Sequence, residues 1–417
     1  MNPTRTLIPL ALAALAAAAP AQLAPDNLVV GWASDTKLNS PGAIELQNIN
    51  KCLKETTVCT NMLTNQGIGG AAYDPVTRFV WISDGATIAA YPMSAKCLLL
   101  CSMKASLMDS SAQVAGLTID VENRVLWHLE TKPGYFGLLP YDLKTCPPTP
   151  MKGGCTYTLS NTREAAGGVA YDQVRKLMYV STSFPGIVGY LSTLRVLTAT
   201  GCKEICNFGQ STCDTRTQAA VSGLAYENCT QTLLATDGTN TRSYVLVDPL
   251  KCSFKVGNCC TKSGTTVYHG IAIIPGWTAK AFGSSCTGKG CASCNSMVLA
   301  TSGGDAAMGN KAFQLEWTGA PTGSAGAIFV SPGGCTKGLQ LPFLCGTFHP
   351  SLSGGPLLLG AIALTGTTQC AASGSLPLPL PVDASLCDIY LCMQGVLVCQ
   401  GGGLGLTHAL DMQLMRN

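Results

Sequence analysis

The sequence predicts an all-β chain: a six-bladed β-propeller followed by a small β-sandwich-like module. Three observations predict it. A glycine-led phrase recurs at a near-constant interval, a second apolar phrase follows it, and turn-forming residues abound, with 46 Gly and 23 Pro.

The first phrase is a glycine, a short apolar strand and an acid. It reads Gly70-Ala-Ala-Tyr-Asp74, Gly116-Leu-Thr-Ile-Asp120, Gly168-Val-Ala-Tyr-Asp172 and Gly223-Leu-Ala-Tyr-Glu227, with a degraded copy at Gly270-Ile-Ala-Ile-Ile274. The glycines stand 46, 52, 55 and 47 residues apart, a spacing that suits four-stranded blades. The second phrase gives Trp81-Ile-Ser-Asp84, Trp127-His-Leu-Glu130, Tyr179-Val-Ser-Thr182, Leu234-Ala-Thr-Asp237 and Leu299-Ala-Thr-Ser302. A sixth copy, Trp32-Ala-Ser-Asp35, has no glycine strand before it. Five first strands and six second strands imply six blades, with five or seven as the neighbouring counts. The N-terminal blade should borrow its innermost strand from the other end of the propeller, between Gly323 and Leu341.

Residues 1–21 read as a signal peptide. Arg5 heads an apolar run from Thr6 to Ala19, and Ala19 and Ala21 occupy the small-residue positions before a cut. The propeller is then expected over residues 22–333 and the C-terminal module over 334–417. No later apolar run is long enough for a membrane-spanning helix. A secreted or cell-surface location follows, with the periplasm as the alternative, and the 22 cysteines agree with it.

Cysteines recur where the third strand of each blade ends. Cys52 is followed by Cys59, Cys97 by Cys101, and Cys146 by Cys155. The expectation is a local clip in each blade, stabilising by ~2 kcal/mol. Cys286, Cys291 and Cys294 contain a CxxC spacing, for which metal or redox work is the rival to disulfides. Adjacent Cys259 and Cys260 should not pair with each other.

Charged residues make up 12% of the chain and the formal charge is +3. That balance gives no basis for nucleic-acid binding, and so lightly charged a surface leaves self-association open. Asp74, Asp120, Asp172 and Glu227 precede turns, where acids accept backbone hydrogen bonds. Asp35, Asp84, Glu130 and Asp237 end second strands, where Thr182 and Ser302 replace the acid. This asymmetry makes Asp35, Asp84 and Asp237 candidate metal ligands, with Ca²⁺ the ion their oxygens would suit. No other cofactor is expected. Glu130, Asp237 and His128 are the candidate catalytic set for a channel-mouth hydrolase or lyase, and His269 is a second histidine placed to face the channel. No nucleophile elbow, phosphate loop or HExxH motif is present. Asn228-Cys-Thr230 formally matches a glycosylation acceptor.

The blade phrases, above all Gly70-Ala-Ala-Tyr-Asp-Pro-Val-Thr-Arg-Phe-Val-Trp-Ile-Ser-Asp84, resemble six-bladed propellers of the YWTD and NHL type. That resemblance implies a binding platform for a protein or glycan, although some relatives are hydrolases or lyases. The blade starts lack the Glu-Gly-Pro pattern of metal-dependent lactonase propellers. Toward the C-terminus, apolar strands are expected at Pro356–Leu364, Leu376–Pro381 and Ile389–Val398. Gly374-Ser-Leu-Pro-Leu-Pro-Leu-Pro381 and Gly403-Leu-Gly-Leu-Thr-His-Ala-Leu410 resemble the C-terminal module of secreted planctomycete-type bacterial proteins. There the resemblance implies surface retention or sorting.

Overall fold

The computed structural model describes residues 28–35, 40–48, 52–60, 62–63, 69–93, 98–187, 189–210, 220–262, 266–275, 277–294, 296–352 and 355–414. The expected signal peptide, residues 1–21, lies outside them. The chain divides into two units after Pro275, not after Gly333 as the sequence suggested.

The first unit is a propeller of five antiparallel blades, one fewer than expected, four of them four-stranded and the third five-stranded. The first blade orders Thr266–Ile274, Leu28–Asp35, Ala43–Asn48 and Leu53–Cys59 from its inner strand outward. The second runs Gly70–Asp74, Phe79–Ser83, Thr87–Pro92 and Cys101–Lys104. The third runs Gln113–Asp120, Val125–Lys132 and Tyr135–Asp142, on which the short strands Thr149–Pro150 and Cys155–Thr158 both pair. The fourth contains Ala165–Asp172, Leu177–Gly186, Gly189–Thr198 and Glu204–Gln210, and the fifth Gly223–Glu227, Thr232–Thr236, Asn240–Asp248 and Ser253–Thr261. The N-terminal blade does borrow its innermost strand, but from Thr266–Ile274, where Trp32 pairs with Gly270. The segment expected to serve, Gly323 to Leu341, lies in the second unit, where Ala325–Pro332 pairs with Tyr390–Val398.

The recurring glycines make the ring. A Cβ on Gly70 would lie 2.6 Å from the Gly116 Cα, and one on Gly168 would lie 2.8 Å from the Gly223 carbonyl carbon. Gly116 abuts Val169, Gly223 abuts Ile271, and Gly270 closes the circle against Gly70 and Ala71. Each contact is with the next inner strand's backbone, which cannot swing aside as a flexible side chain can. Outside this axis the blades pack through apolar faces. Trp81, Ile88 and Ala90 of the second blade meet Leu117, Leu126 and Tyr141 of the third, for example.

The disulfides are not local clips. Cys101 pairs with Cys146, Cys155 with Cys202, and Cys206 with Cys252. Each ties a blade's outermost strand to the turn before the outermost strand of the next blade. Cys52 pairs with Cys260 and so fastens the first blade to the fifth. The expected partners within each blade are therefore replaced by partners one blade away. Cys97 lies outside the described residues, and Cys59 and Cys259 are also disulfide-bonded. Cys260 joins Cys52, so the adjacent pair does not form a vicinal bridge. Loops of 45 to 47 residues are closed, for which chain entropy gives about 4 kcal/mol each, roughly twice the value for a local clip.

The second unit packs two sheets face to face. One orders Thr278–Phe282, Leu404–Gln413, Tyr390–Val398, Ala325–Pro332 and Leu357–Ala363; the other orders Val298–Ser302, Gln314–Ala320 and Ala372–Pro377. Trp317, fully buried, lies on Gly326 and Gly395 of the facing sheet, where a Cβ would come within 2.5 Å of its ring. The sandwich architecture is as expected, but it begins far earlier and includes Leu299, read from sequence as a blade strand. The middle expected strand, Leu376–Pro381, is displaced to Ala372–Pro377. Cys291 pairs with Cys399 and Cys294 with Cys370. The CxxC is therefore structural, since its two sulfurs belong to different bridges.

Four outcomes check this architecture. Gly70→Ala should cost about 1–3 kcal/mol or more in denaturant unfolding. Gly209→Ala, where a Cβ meets nothing within 4 Å, should be neutral or slightly stabilising. Non-reducing peptide mapping should recover the 101–146, 155–202 and 206–252 linkages. Replacing Cys155 and Cys202 together by Ser should lower stability by about 2–4 kcal/mol.

Candidate functional site

The propeller axis is where a site on this fold would be sought. A pocket of about 70 Å³ lies there, lined from all five inner strands by residues that include Ala71, Leu117, Thr118, Tyr171, Leu224 and Ile271. Cavities that take drug-sized ligands measure ~300–1,000 Å³, so this one has room for a few waters.

The polar groups at its rim hold the blades together. The Gln173 Nε2 donates to the Ile119 carbonyl at 2.6 Å, and its Oε1 accepts from the Val121 amide. The Asn228 Oδ1 accepts from the Gln173 amide at 2.7 Å. Asn228 is buried, which removes it as a glycosylation acceptor.

The acids that end the inner strands cap their own turns. Asp74 accepts from the Val76 amide and the Thr77 hydroxyl, Asp172 from the Val174 and Arg175 amides, and Glu227 from the Cys229 and Thr230 amides. Asp120 accepts from the Asn123 amide. Each turn ends in a left-handed residue, Arg78, Arg124, Lys176 or Gln231. Two of these reach across to a neighbouring blade. Arg124 makes a bidentate pair with Asp74, Nη2 to Oδ2 at 2.7 Å, and Lys176 bonds Glu122 at 2.8 Å. Burial, with Asp172 nearby, pushes the Tyr179 and Tyr226 hydroxyls far above the usual tyrosine range.

The proposed catalytic set is divided between two blades. Glu130 is fully buried in the third blade, where its Oε2 accepts from the Met108 amide at 2.8 Å and its Oε1 from the Tyr135 hydroxyl at 2.6 Å. Asp237 lies in the fifth blade and caps a turn by accepting from the Thr239 and Asn240 amides. His128 is buried between the second and third blades, its ring 5.2 Å from that of Tyr141, and among the described residues neither ring nitrogen has a hydrogen-bond partner. His128 and Glu130 lie two residues apart on the strand Val125–Lys132, but Asp237 belongs to another blade, so the three do not form one cluster.

The proposed metal ligands belong to three blades. Asp84 accepts from the Ala86 and Thr87 amides. Asp35 ends the strand Leu28–Asp35, and its side chain falls outside the described residues. Among the described residues, no three His, Cys, Asp or Glu side chains converge as a metal site.

Sequence reasoning missed two contacts. Thr182 stands where other blades carry an acid, yet a carboxylate is present: Glu164 accepts from the Thr182 hydroxyl and pairs with Arg195 at 2.7 Å. The acid comes from the preceding loop, where no repeat marks it. His269 is the extra residue of a β-bulge that puts Trp32 opposite Gly270 and Ala33 opposite Tyr268. The bulge aims its Nε2 at the Ser34 Oγ, 2.7 Å away. Both residues are buried, so this serine–histidine pair is closed to substrate.

Comparison with known proteins places no family on the chain. No family model matches it, and no curated protein matches it. Among solved structures, the chain is similar to glutaminyl cyclase of Myxococcus xanthus, with 13% identity, TM-score 0.30, and 49% of this chain and 68% of that one covered. It is similar to apo AztD of Citrobacter koseri, with 10% identity, TM-score 0.27, and 56% and 55% covered. A protein of Lactobacillus plantarum aligns over 93% of this chain and 99% of its own, with 10% identity and TM-score 0.32.

Burial of His128 has a consequence in acid. It lowers the imidazole pKa from 6.5 to about 4. The folded chain then keeps this ring neutral while the unfolded chain takes up a proton below pH ~6.5. Stability present above that pH should be lost as pH falls from 6.5 to 4, by up to about 3 kcal/mol for this residue. Denaturant titrations of wild type and His128→Phe at pH 7 and pH 4.5 should show the variant losing less.

Proposed function

We propose that the protein is an exported, disulfide-stabilised binding or scaffold protein whose propeller presents its outer faces to a protein or glycan. One observation carries this reading: the axial pocket is only about 70 Å³ and the polar groups at its rim are engaged in joining blades. The many bridges, Cys52–Cys260, Cys101–Cys146 and Cys155–Cys202 among them, suit an oxidising compartment. Among the described residues no helix is long and apolar enough to cross a membrane. Secretion or display at the cell surface is the location this reading takes, with the periplasm as its variant.

The blade phrases support a YWTD- or NHL-like lineage in which one blade has been lost. The second unit is read as a retention or sorting module on its resemblance to those of secreted planctomycete-type proteins. A channel-mouth hydrolase or lyase is the weaker reading, since Glu130 and Asp237 serve turns in separate blades.

Glycan arrays followed by calorimetry with the purified chain test the proposal. Saturable binding that survives Asp237→Asn, without turnover of the bound glycan, is expected. Turnover that Asp237→Asn abolishes would reverse the reading.

A further inference from the structure

The hairpin between the second and third strands of the fourth blade is longer than its counterparts. Ring glycines give the common register: Gly70 pairs with Ser83, Gly168 with Ser181 and Gly223 with Thr236. In the second and fifth blades the chain turns at the next residue, Asp84 or Asp237, whose carboxylate caps the turn. In the fourth blade that residue is Thr182, and the ladder runs on through Thr182–Thr193, Ser183–Ser192, Phe184–Leu191 and Pro185–Tyr190 to Gly186–Gly189. Five further residues carry the tip roughly 16 Å beyond the turns of the second and fifth blades, and about two residues further than the third blade's hairpin, which ends at Lys132–Tyr135.

The base of this finger is fixed. The Ser183 and Ser192 hydroxyls bond each other at 2.7 Å, the Val221 amide donates to Ser183, and Arg195 pairs with both Glu164 and Glu204. Its tip is apolar and bare. Ile187 is wholly exposed at 105%, Leu191 at 51% and Tyr190 at 41%. No charged residue occurs between Lys176 and Arg195.

We propose that this finger inserts into a lipid surface and holds the propeller there peripherally. The tip is convex, so it fits a deformable apolar medium. Its two strands pair with each other up to Gly186 and Gly189, while their outer edges are open beyond Ser183 and Ser192, so the finger seats at headgroup depth and only its apolar side chains reach the acyl boundary. Tyr190, just below the tip, has the ring and hydroxyl that favour the headgroup boundary. A protein groove is the less suitable occupant, because such interfaces carry a polar rim that fixes orientation, and nothing charged surrounds this tip on the hairpin. Attachment is independent of the ligand reading, so either can fail alone.

Flotation with vesicles of neutral phosphatidylcholine, at low and high salt, tests it. Wild type should float in both, and Ile187→Asp with Leu191→Asp should reduce the bound fraction at least about tenfold. Both positions are exposed, so circular dichroism and melting should match wild type. In Ile187→Trp, added vesicles should shift the emission of the new indole to the blue. The proposal fails if wild type does not float, if the double variant floats equally, or if binding needs anionic lipid and vanishes at high salt.

Discussion

Five strands can meet around one axis at this spacing only where they carry no side chain. That constraint, met by Gly70, Gly116, Gly168, Gly223 and Gly270, organises the rest of the propeller. Backbones that touch leave a narrow axis, and a narrow axis leaves a pocket for water rather than for a substrate. Polar groups near it are then used tangentially, from one blade to the next. Gln173 and Asn228 at the rim and the Arg124–Asp74 pair at the turns are all links of this kind.

The same logic operates at the circumference. A staple inside one blade would stiffen a turn and leave neighbouring blades free to part. Bridges from an outer strand to the following blade oppose that separation directly, and the pairing of Cys52 with Cys260 carries the belt across the join. The ring is thus held by backbone contact at its centre and by sulfur at its edge, with apolar faces between.

Much of this could be read from the sequence. The glycine phrase gave the blade interval because a residue that must lack a side chain leaves an unambiguous mark. Blade number was harder, because Leu299-Ala-Thr-Ser302 has the chemistry of any buried strand and its sheet cannot be told from composition. The decisive signal was its missing glycine partner: Gly270 serves Trp32, which leaves none for Leu299. Cysteine pairing was misread because closeness in sequence was taken for closeness in space. The 45- to 47-residue intervals of the true pairs fall close to the shorter intervals between the ring glycines. Acids such as Glu130 looked available because a sequence does not show which amides they already serve.

Joining Leu28–Asp35 to Thr266–Ile274 in one sheet has a bearing on biogenesis. A chain that emerges N-terminus first presents the opening blade first, yet that blade stays one strand short until Ile274, some 215 residues beyond Cys59, has emerged. Its exposed edge must be shielded meanwhile, and its thiols pass nearer, wrong partners before the right ones arrive. Folding of this protein should therefore depend heavily on holding chaperones and on a disulfide isomerase able to undo early mistakes.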